Sequence, residues 1–265
     1  HNEVGNIPTL DGIIHGATNQ IYQNAEEFYR AENGHAIGYF WGYKTAGLFQ
    51  NQKEINDWIA AGNGIYQADV KPGDVKYVDV NHDGVINASD KVDLGNGLPK
   101  YTFGFNFSLA WKGFDLSANF TGAAGFQIAQ SYRDPSSSQA NYSRRILKRW
   151  TGEGTSNEIP RVTYGDVGNW LFSDLYLQDG DYIRLQNLTM GYDFKKLISW
   201  KGLSKMRLYF QVQNLFTLTK YDGMDPEIGS FNGTDGNSSD SWVSGVDMGY
   251  YPHPRTFIVG LNLAF

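Results

Sequence analysis

The chain of 265 residues has a formal net charge of −6, 15% aromatic residues, 31 glycines and no cysteine. The lack of cysteine excludes disulfides, thiolate metal ligands and a cysteine nucleophile. The acidic balance offers no basic face to phosphates, so nucleic acid is not an expected partner. No run in the sequence approaches the roughly 18 apolar residues of a membrane helix, although membrane-crossing strands alternate and average out as polar. The composition therefore favours short strands and turns.

The early part of the chain predicts mixed local structure. Residues 1–8 lack the basic start and apolar core of a secretory signal, so we expect either that a signal was removed or that the chain begins within a longer protein. Residues 21–30 fit a strand or a short helix. Large side chains then alternate along a predicted strand that rises to a loop: Ile37, Tyr39, Trp41 and Tyr43. Residues 54–61 predict one or two helical turns within that loop.

An aspartate-rich loop follows at residues 79–90 (DVNHDGVINASD) and matches the calcium-loop pattern D-x-[DN]-x-[DN]-G-x5-[acid]. Gly84 stands where such a loop turns sharply. The candidate ligands offer side-chain oxygens, one backbone carbonyl and one position often bridged by water: Asp79, Asn81, Asp83, Val85, Asn87 and Asp90. Ca²⁺ takes six to eight oxygen ligands at about 2.3–2.6 Å, which suits donors at alternate positions. The pattern therefore predicts a Ca²⁺ site.

The loop departs from the calcium pattern at its last position. Asp90 stands where an EF-hand has a bidentate Glu, and no flanking helix pair is evident. The shorter side chain requires the loop to pull in further or to bind more weakly. The alternative is a turn rich in Asp, Asn and Gly that binds nothing.

Strands with one apolar face dominate the rest of the sequence. In residues 101–111 (YTFGFNFSLAW), six large apolar side chains occupy the odd positions and a row of small ones the even positions. Lys112 and Gly113 predict a tight hairpin turn into a returning strand at residues 114–122. Residues 206–218 and 255–265 repeat the alternation. A tilted strand of about nine to eleven residues crosses a bilayer, which suits residues 255–265, and the alternative for that stretch is the edge strand of a soluble sandwich.

The strand predicted at residues 182–194 shifts phase along its length. Ile183 and Leu185 are apolar at odd positions, whereas Leu188, Met190 and Tyr192 are apolar at even positions. An extra residue near Gln186 and Asn187 would return both sets to one face. We therefore predict a β-bulge there.

The connections between these strands alternate in length. Residues 123–181 and 219–254 form two long connections, and residues 112–113 and 195–205 form short ones. Outer-membrane barrels have long outer loops and short periplasmic turns. The pattern places the short turns and Phe265 on the periplasmic side and the aspartate-rich loop outside. A basic run at residues 144–149 fits a solvated helix face better than an anion site.

Six runs of this sequence resemble SusC-like TonB-dependent transporters, the outer-membrane nutrient importers of Bacteroidetes. They follow one another in order through most of the chain after residue 36: GYFWGYKTAGLFQ (38–50), PGDVKYVDVNHDGVINASD (72–90), LGNGLPKYTFGFNFSLAWKGFDLSANFTGAAG (94–125), DGDYIRLQNLTMGYDF (179–194), LYFQVQNLFTLTKYDGMDPE (208–227) and YYPHPRTFIVGLNLAF (250–265). The terminal Phe265 also resembles the C-terminal insertion signal of outer-membrane barrels.

The resemblance implies an all-β fold: the C-terminal antiparallel strands of a large, roughly 22-stranded transmembrane β-barrel with long extracellular loops. It further implies a plug domain, a SusD-like lipoprotein, TonB-driven uptake of oligosaccharides or oligopeptides, and an outer-membrane location with the C-terminus in the periplasm. Residues 1–265 would form one barrel segment without the plug. An open sheet edge in lipid costs several kcal/mol per unpaired group, so we expect the missing strands alongside.

Two other function classes compete with transport. Catalysis is not expected, because Asp222, Asp225 and Glu227 belong to the KYDGMDPE run and have no Ser or His partner nearby in sequence. The five histidines, at positions 1, 15, 35, 82 and 253, lack metal-ligand spacing. The remaining alternative is a secreted, calcium-stabilised β-sandwich carbohydrate-binding module. Its tryptophans would stack on sugar rings, for instance Trp41, Trp170 and Trp242.

Overall fold

The computed structural model describes residues 2–16, 27–130, 144–163, 168–229, 242–247 and 249–265. These residues are rich in strands, as the alternating sequence predicted. In chain order the strands of the described residues are β1 (Ile13–His15), β2 (Tyr29–Glu32), β3 (Tyr39–Tyr43), β4 (Thr45–Leu48), β5 (Val75–Tyr77), β6 (Lys91–Asn96), β7 (Tyr101–Trp111), β8 (Phe114–Ala124), β9 (Gln127–Gln130), β10 (Leu177–Asp179), β11 (Tyr182–Asp193), β12 (Lys205–Thr219), β13 (Val246–Asp247) and β14 (Thr256–Ala264).

Helical structure is short. One α-helix, α1 (Gln52–Ala60), begins after Asn51, whose side-chain oxygen accepts the backbone N–H of Glu54 at 2.9 Å. The sequence predicted this helix at residues 54–61, and the cap explains its earlier start. Short 3-10 turns also occur, at Ala88–Asp90, Arg144–Lys148, Gly168–Trp170, Asp174–Tyr176 and Phe194–Lys196. In the described part of the chain, no helix has the length and apolar character needed to cross a membrane.

The chain divides into two compact units. The first comprises His1–Leu98, Gln127–Gln178 and Ile228–Gly249. The second comprises Pro99–Phe126, Asp179–Glu227 and Tyr250–Phe265.

Small sheets make up the first unit. Strands β1, β2, β3 and β6 pair in that order, and β4 pairs with β5. Strand β9 pairs with β10 and β13, so the first long connection contains short strands that the sequence did not predict. The Ser-rich part of that connection at residues 131–143, the stretch 230–241 of the second one and residues 21–26 lie outside the described residues. Tyr29 and Arg30, at the end of the ambiguous stretch 21–30, lie in strand β2.

Two hydrophobic clusters form the core of the first unit. One contains Phe28, Tyr29, Phe40, Ala129, Phe172, Val243 and Val246. The other contains Tyr43, Leu48, Val75, Tyr77 and Ile86. Strand β3 contributes to both clusters, because Phe40 lies in the first and Tyr43 in the second. Both side chains are buried. The sequence predicted this strand, but it is buried on both faces rather than on the alternating face alone. Ile86 anchors the aspartate-rich loop in the second cluster.

The second unit is one antiparallel sheet of long strands in the order β7, β8, β11, β12, β14. These are the strands that the period-two alternation predicted. The tight turn between β7 and β8 is confirmed: Lys112 and Gly113 have φ values of 47° and 98°, the left-handed conformations that a two-residue hairpin requires. The register runs from Tyr101 opposite Ala124 to Trp111 opposite Phe114.

The predicted bulge in β11 is also confirmed. The pairing of β11 shifts between Leu185 and Asn187 against both of its neighbours, β8 and β12. Ile183 and Leu185 therefore share a face with Leu188 and Met190, as their register partners show. Without this shift, half of the strand would turn its apolar side chains to the other face.

The register also brings the short connections to one end of the sheet. Lys205, at the start of β12, pairs with Ala264 near the end of β14. Tyr192 pairs with Phe114 beside the β7–β8 turn. Phe265, the hairpin turn and residues 195–204 thus lie at the same sheet end, and the long connections leave from the other.

Candidate functional site

One face of the five-stranded sheet is apolar and exposed. The odd-numbered side chains of β7, from Tyr101 to Trp111, are 43–70% exposed, and those of Phe257, Val259, Leu261 and Leu263 in β14 are 48–72% exposed. Isolated exposed apolar residues are ordinary on soluble proteins, but a continuous face of this kind marks a surface that contacts an apolar medium or a partner. A β-sandwich would bury this face, so the exposure of Phe103 and Val259 argues against that alternative.

The opposite face of the sheet carries small and polar side chains. Arg207 of β12 donates from Nε to Oδ2 of Asp115 in β8 at 2.8 Å. This ion pair passes over Gly191 of β11, where an added Cβ would lie 2.6 Å from both partners. Gln211 donates to Asn187 on the same sheet at 3.2 Å. Paired charges and amides suit a wet surface.

The strands of this sheet are long enough to cross a membrane. They contain 11 residues in β7 and β8, 12 in β11, 15 in β12 and 9 in β14. A tilted membrane strand needs about 9–11 residues. Length, pairing and facing therefore agree with a sheet that separates lipid from water.

The aspartate-rich loop joins β5 to the 3-10 turn before β6 and folds around the carboxylate of Asp79. This buried side chain accepts the backbone N–H of Gly84 at 2.7 Å and that of Asp83 at 3.3 Å. Gly84 has a φ of 82°, which accounts for glycine at the sharp turn. Burial raises the pKa of Asp79, but the N–H groups of Gly84, His82 and Asp83 together lower it below the ordinary 3.8. The carboxylate is therefore anionic at neutral pH.

The other predicted ligands also contact the loop backbone. Asp83 Oδ1 accepts the N–H of Val85 at 2.9 Å, and Asn81 Oδ1 accepts that of Asp83 at 3.1 Å. Asp90 is fully buried and accepts the N–H groups of Val80 and Asn87 at 2.9 and 2.8 Å. Asn87 caps the 3-10 turn through its side-chain oxygen.

These contacts fit a cation loop only in part. Each carboxylate oxygen has a second lone pair, so the donor set remains of the hard-oxygen type that Ca²⁺ uses. The three loop carboxylates are not drawn together, however. Among the described residues, the group of three acidic or histidine side chains with ligand atoms within 4.8 Å of one another is Asp225, Glu227 and His253.

Asp225, Glu227 and His253 converge in the second unit. Asp225 is buried and accepts hydrogen bonds from the backbone and Nδ1 of His253 at 3.1 and 2.9 Å. Arg184 of β11 contacts both Asp225 and Glu227. Their spacing in the sequence does not predict this cluster, because His253 lies 28 residues beyond Asp225 and only the folded chain brings them together.

The tryptophans named for sugar stacking pack against other residues of the chain. The guanidinium of Arg30 lies 3.9 Å from the ring centroid of Trp41. Trp170 stacks on Tyr176, and Trp242 packs edge-on against Tyr29. The three rings therefore pack against neighbouring side chains within the first unit.

The basic run at residues 144–149 forms the 3-10 turn Arg144–Lys148, in which no residue is buried.

The chain is similar in sequence and in fold to known proteins. No family model matches the chain. A TonB-dependent receptor, P3, of Formosa agariphila is 32% identical over the whole chain, which covers 26% of that receptor. TonB-dependent receptor SusC of Bacteroides thetaiotaomicron is 29% identical over 76% of the chain and 18% of its own length. A chain of the RagAB peptide importer in its open-open state matches 99% of this chain with a TM-score of 0.64 at 18% identity, and 25% of that chain is covered.

The chain therefore has a fold similar to that of part of the RagAB peptide importer. The chain is related over its full length to the TonB-dependent receptors, and its recognition as a SusC-like segment is confirmed. It spans about a quarter of the length of the first relatives it matches. The all-β class is confirmed as well, whereas the count of 22 strands stays a prediction.

Proposed function

We propose that this chain forms part of an outer-membrane, TonB-dependent importer of bulky nutrients. Its role is to supply a portion of the barrel wall and several loops on one side of the membrane. The cargo class is oligopeptides or oligosaccharides, in keeping with a structural neighbour that imports peptides. The chain itself carries out no catalysis.

The observation that carries this proposal is the two-faced sheet of the second unit. Large apolar side chains project from one face of β7 and β14 and are exposed, while the other face holds the Asp115–Arg207 ion pair. Such alternation over strands of membrane-crossing length is the pattern of a barrel wall with lipid outside and a polar interior.

The proposed partners of this chain are those that would complete and surround the barrel wall. The rest of the barrel and the plug of the same receptor would complete the channel, and the bilayer would cover the apolar face. A SusD-like lipoprotein would bind at the outer side, and TonB would act through the part of the receptor outside this chain. The sheet end that carries Phe265 and the short turns would then face the periplasm, as in other outer-membrane barrels.

We also propose that the aspartate-rich loop binds Ca²⁺ outside the cell. Asp79, Asn81, Asp83, Val85, Asn87 and Asp90 would be the ligands. The support is the hard-oxygen donor set and the turn at Gly84, which already curls the loop around the anionic Asp79. Binding would require Asp90 to turn one oxygen inward, so the affinity would be in the weaker range typical of extracellular sites.

Uptake in living cells tests the import function. A strain that lacks the gene should fail to accumulate labelled oligopeptides or oligosaccharides that the parent strain takes up. Uptake in the parent should stop when TonB is removed or when a protonophore collapses the energy supply. Equal uptake by both strains for every nutrient class would overturn the proposal.

A further inference from the structure

A single carboxylate, that of Asp225, joins two segments of the second unit. Its Oδ2 accepts the backbone N–H of His253 at 3.1 Å and the ring Nδ1 of the same residue at 2.9 Å. Its Oδ1 accepts the N–H of Glu227 at 2.9 Å. The side chain is buried despite its charge, so these donors replace the water that it has lost.

Arg184 provides the positive charge. Its side chain is only 3% exposed and projects from β11. Nη2 donates to Asp225 Oδ1, Nη1 lies 3.0 Å from Glu227 Oε2, and Nε donates to Thr217 Oγ1 of β12 at 3.0 Å. The guanidinium thus contacts three residues, Asp225, Glu227 and Thr217, and its hydrogen bond to Thr217 orients it on the sheet. The planar guanidinium presents several N–H donors in a fixed geometry, and it can therefore bind two carboxylates at once better than a lysine ammonium can.

The three side chains of this cluster are arranged as in a metal site, but the cation beside them is the guanidinium of Arg184. Asp225, Glu227 and His253 place one ligand atom each within 4.8 Å of one another. The guanidinium of Arg184 already contacts both carboxylates, and a divalent ion beside it would meet a positive charge at close range. Arg184 therefore provides the charge that a metal ion would otherwise supply.

We propose that Arg184, Asp225, Glu227 and His253, here called the Asp225 clasp, fasten both ends of the connection between β12 and β14 to the sheet. Residues 220–229 follow β12 and residues 249–255 precede β14. Because one carboxylate holds both segments, they open and close together rather than independently. The clasp sets the position from which the connection leaves the sheet, and it does so without a metal.

Hydrogen exchange of the intact receptor in detergent tests the clasp. In Asp225→Asn, the peptides covering residues 220–229 and 249–255 should both exchange at least tenfold faster, while residues 101–124 in β7 and β8 keep their protection. Glu158→Gln is the control, because it removes a charge of the same sign from an exposed position outside both segments. Its exchange should equal that of the native receptor.

Several outcomes would overturn the clasp. Faster exchange in only one of the two segments would show that they are held separately, and equal effects of Asp225→Asn and Glu158→Gln would show that the contacts of Asp225 are irrelevant. If EDTA accelerated exchange of both segments in the native receptor, a metal rather than Arg184 would close the cluster. Should Asp225→Asn fail to fold, His253→Ala decides: it removes the Nδ1 donor at a half-exposed site and keeps the backbone N–H, and unchanged exchange in both segments would contradict the proposal.

Discussion

Among single residues, two buried aspartates each face several hydrogen-bond donors. Asp225 and Asp79 each accept backbone N–H groups, and Asp225 also faces Arg184. Hydrogen bonds to a carboxylate stabilise its charged form. Neither aspartate could be replaced by a neutral side chain without leaving donors unpaired, which is the costly outcome for buried polar groups.

The Asp225 clasp should depend on pH in the acid range. Burial raises the pKa of Asp225, but the N–H groups of Glu227 and His253, the His253 side chain and the Arg184 charge lower it below the ordinary 3.8. A lowered pKa in the folded state means that the stabilisation is fully present above pH 3.8 and is lost as pH falls through the lowered value. Thermal unfolding of the native protein and Asp225→Asn should therefore converge at strongly acidic pH and diverge near neutrality. A constant difference over that range would contradict this reading.

Close packing at one glycine gives a second residue-scale prediction. At Gly122 of β8, an added Cβ would lie 2.4 Å from the ring of Phe103 and 2.6 Å from the carbonyl oxygen of Tyr182. Gly122→Ala should destabilise the sheet by about 1–3 kcal/mol, because the strand carbonyl cannot move away. The measurement is the midpoint of heat-induced loss of the compact band in detergent. Gly104→Ala is the control, since its nearest neighbour is the Phe120 carbonyl oxygen at 3.6 Å; equal midpoints would refute the packing argument.

At the scale of elements, the facing of each strand decides which substitutions are tolerated. Strand β14 has Leu261 on the exposed apolar face and Asn262 on the other. The same logic extends across the sheet, because register partners share a face. The direction of a side chain therefore matters more than its place in the sequence.

A pair of substitutions in β14 tests that facing. Leu261→Arg should cost about 2–4 kcal/mol if the residue lies near the bilayer midplane, because a charge would enter hydrocarbon. Asn262→Arg places the same charge one residue away on the polar face and should cost less. Unfolding of the receptor in lipid vesicles by urea measures both. The facing assignment would be wrong if the two variants lost equal stability.

The aspartate-rich loop is the second element with a testable role. Asp79→Ala together with Asp83→Ala should remove the Ca²⁺ bound per receptor, since these two carboxyl groups contact the loop backbone at Gly84 and Val85. Elemental analysis after dialysis against calcium-free buffer and controlled reloading measures the content. Asp57→Ala on the exposed face of α1 is the control. Calcium content that does not change in the loop variant would remove the site.

At the scale of the whole molecule, the sheet has two edges within the described residues. Strand β7 pairs with β8 and strand β14 with β12, and each has one side without a strand partner there. In a membrane such an edge would leave a row of backbone groups without hydrogen bonds, at several kcal/mol per group. A working wall therefore requires further strands at both edges.

Expression of the segment alone tests this requirement. Residues 1–265 produced with a signal peptide should fail to give the heat-modifiable, protease-resistant form of an outer-membrane barrel. The intact receptor should give that form in the same cells. A folded, membrane-inserted product from the segment alone would show that the sheet closes on itself and would refute the need for outside strands.

Elements that depend on neighbouring residues could be predicted from the sequence. The five long strands, the turn at Lys112 and Gly113 and the bulge after Leu185 were all predictable, because side-chain alternation and backbone conformation depend on near neighbours in the chain. The six ligand positions of the aspartate-rich loop could likewise be proposed from their spacing, although the contact of Asp90 with Val80 and Asn87 could not.

Contacts between distant residues could be found only in the folded chain. The first unit joins Phe40 to Phe172 and Val243 in one cluster, and the Asp225 clasp joins Arg184 to Glu227 and His253. These contacts form when strands pair with partners tens to hundreds of residues away in the chain. Such long-range pairing leaves no periodic pattern in the sequence. The strands could therefore be predicted from local alternation, whereas the core and the clasp required the folded chain.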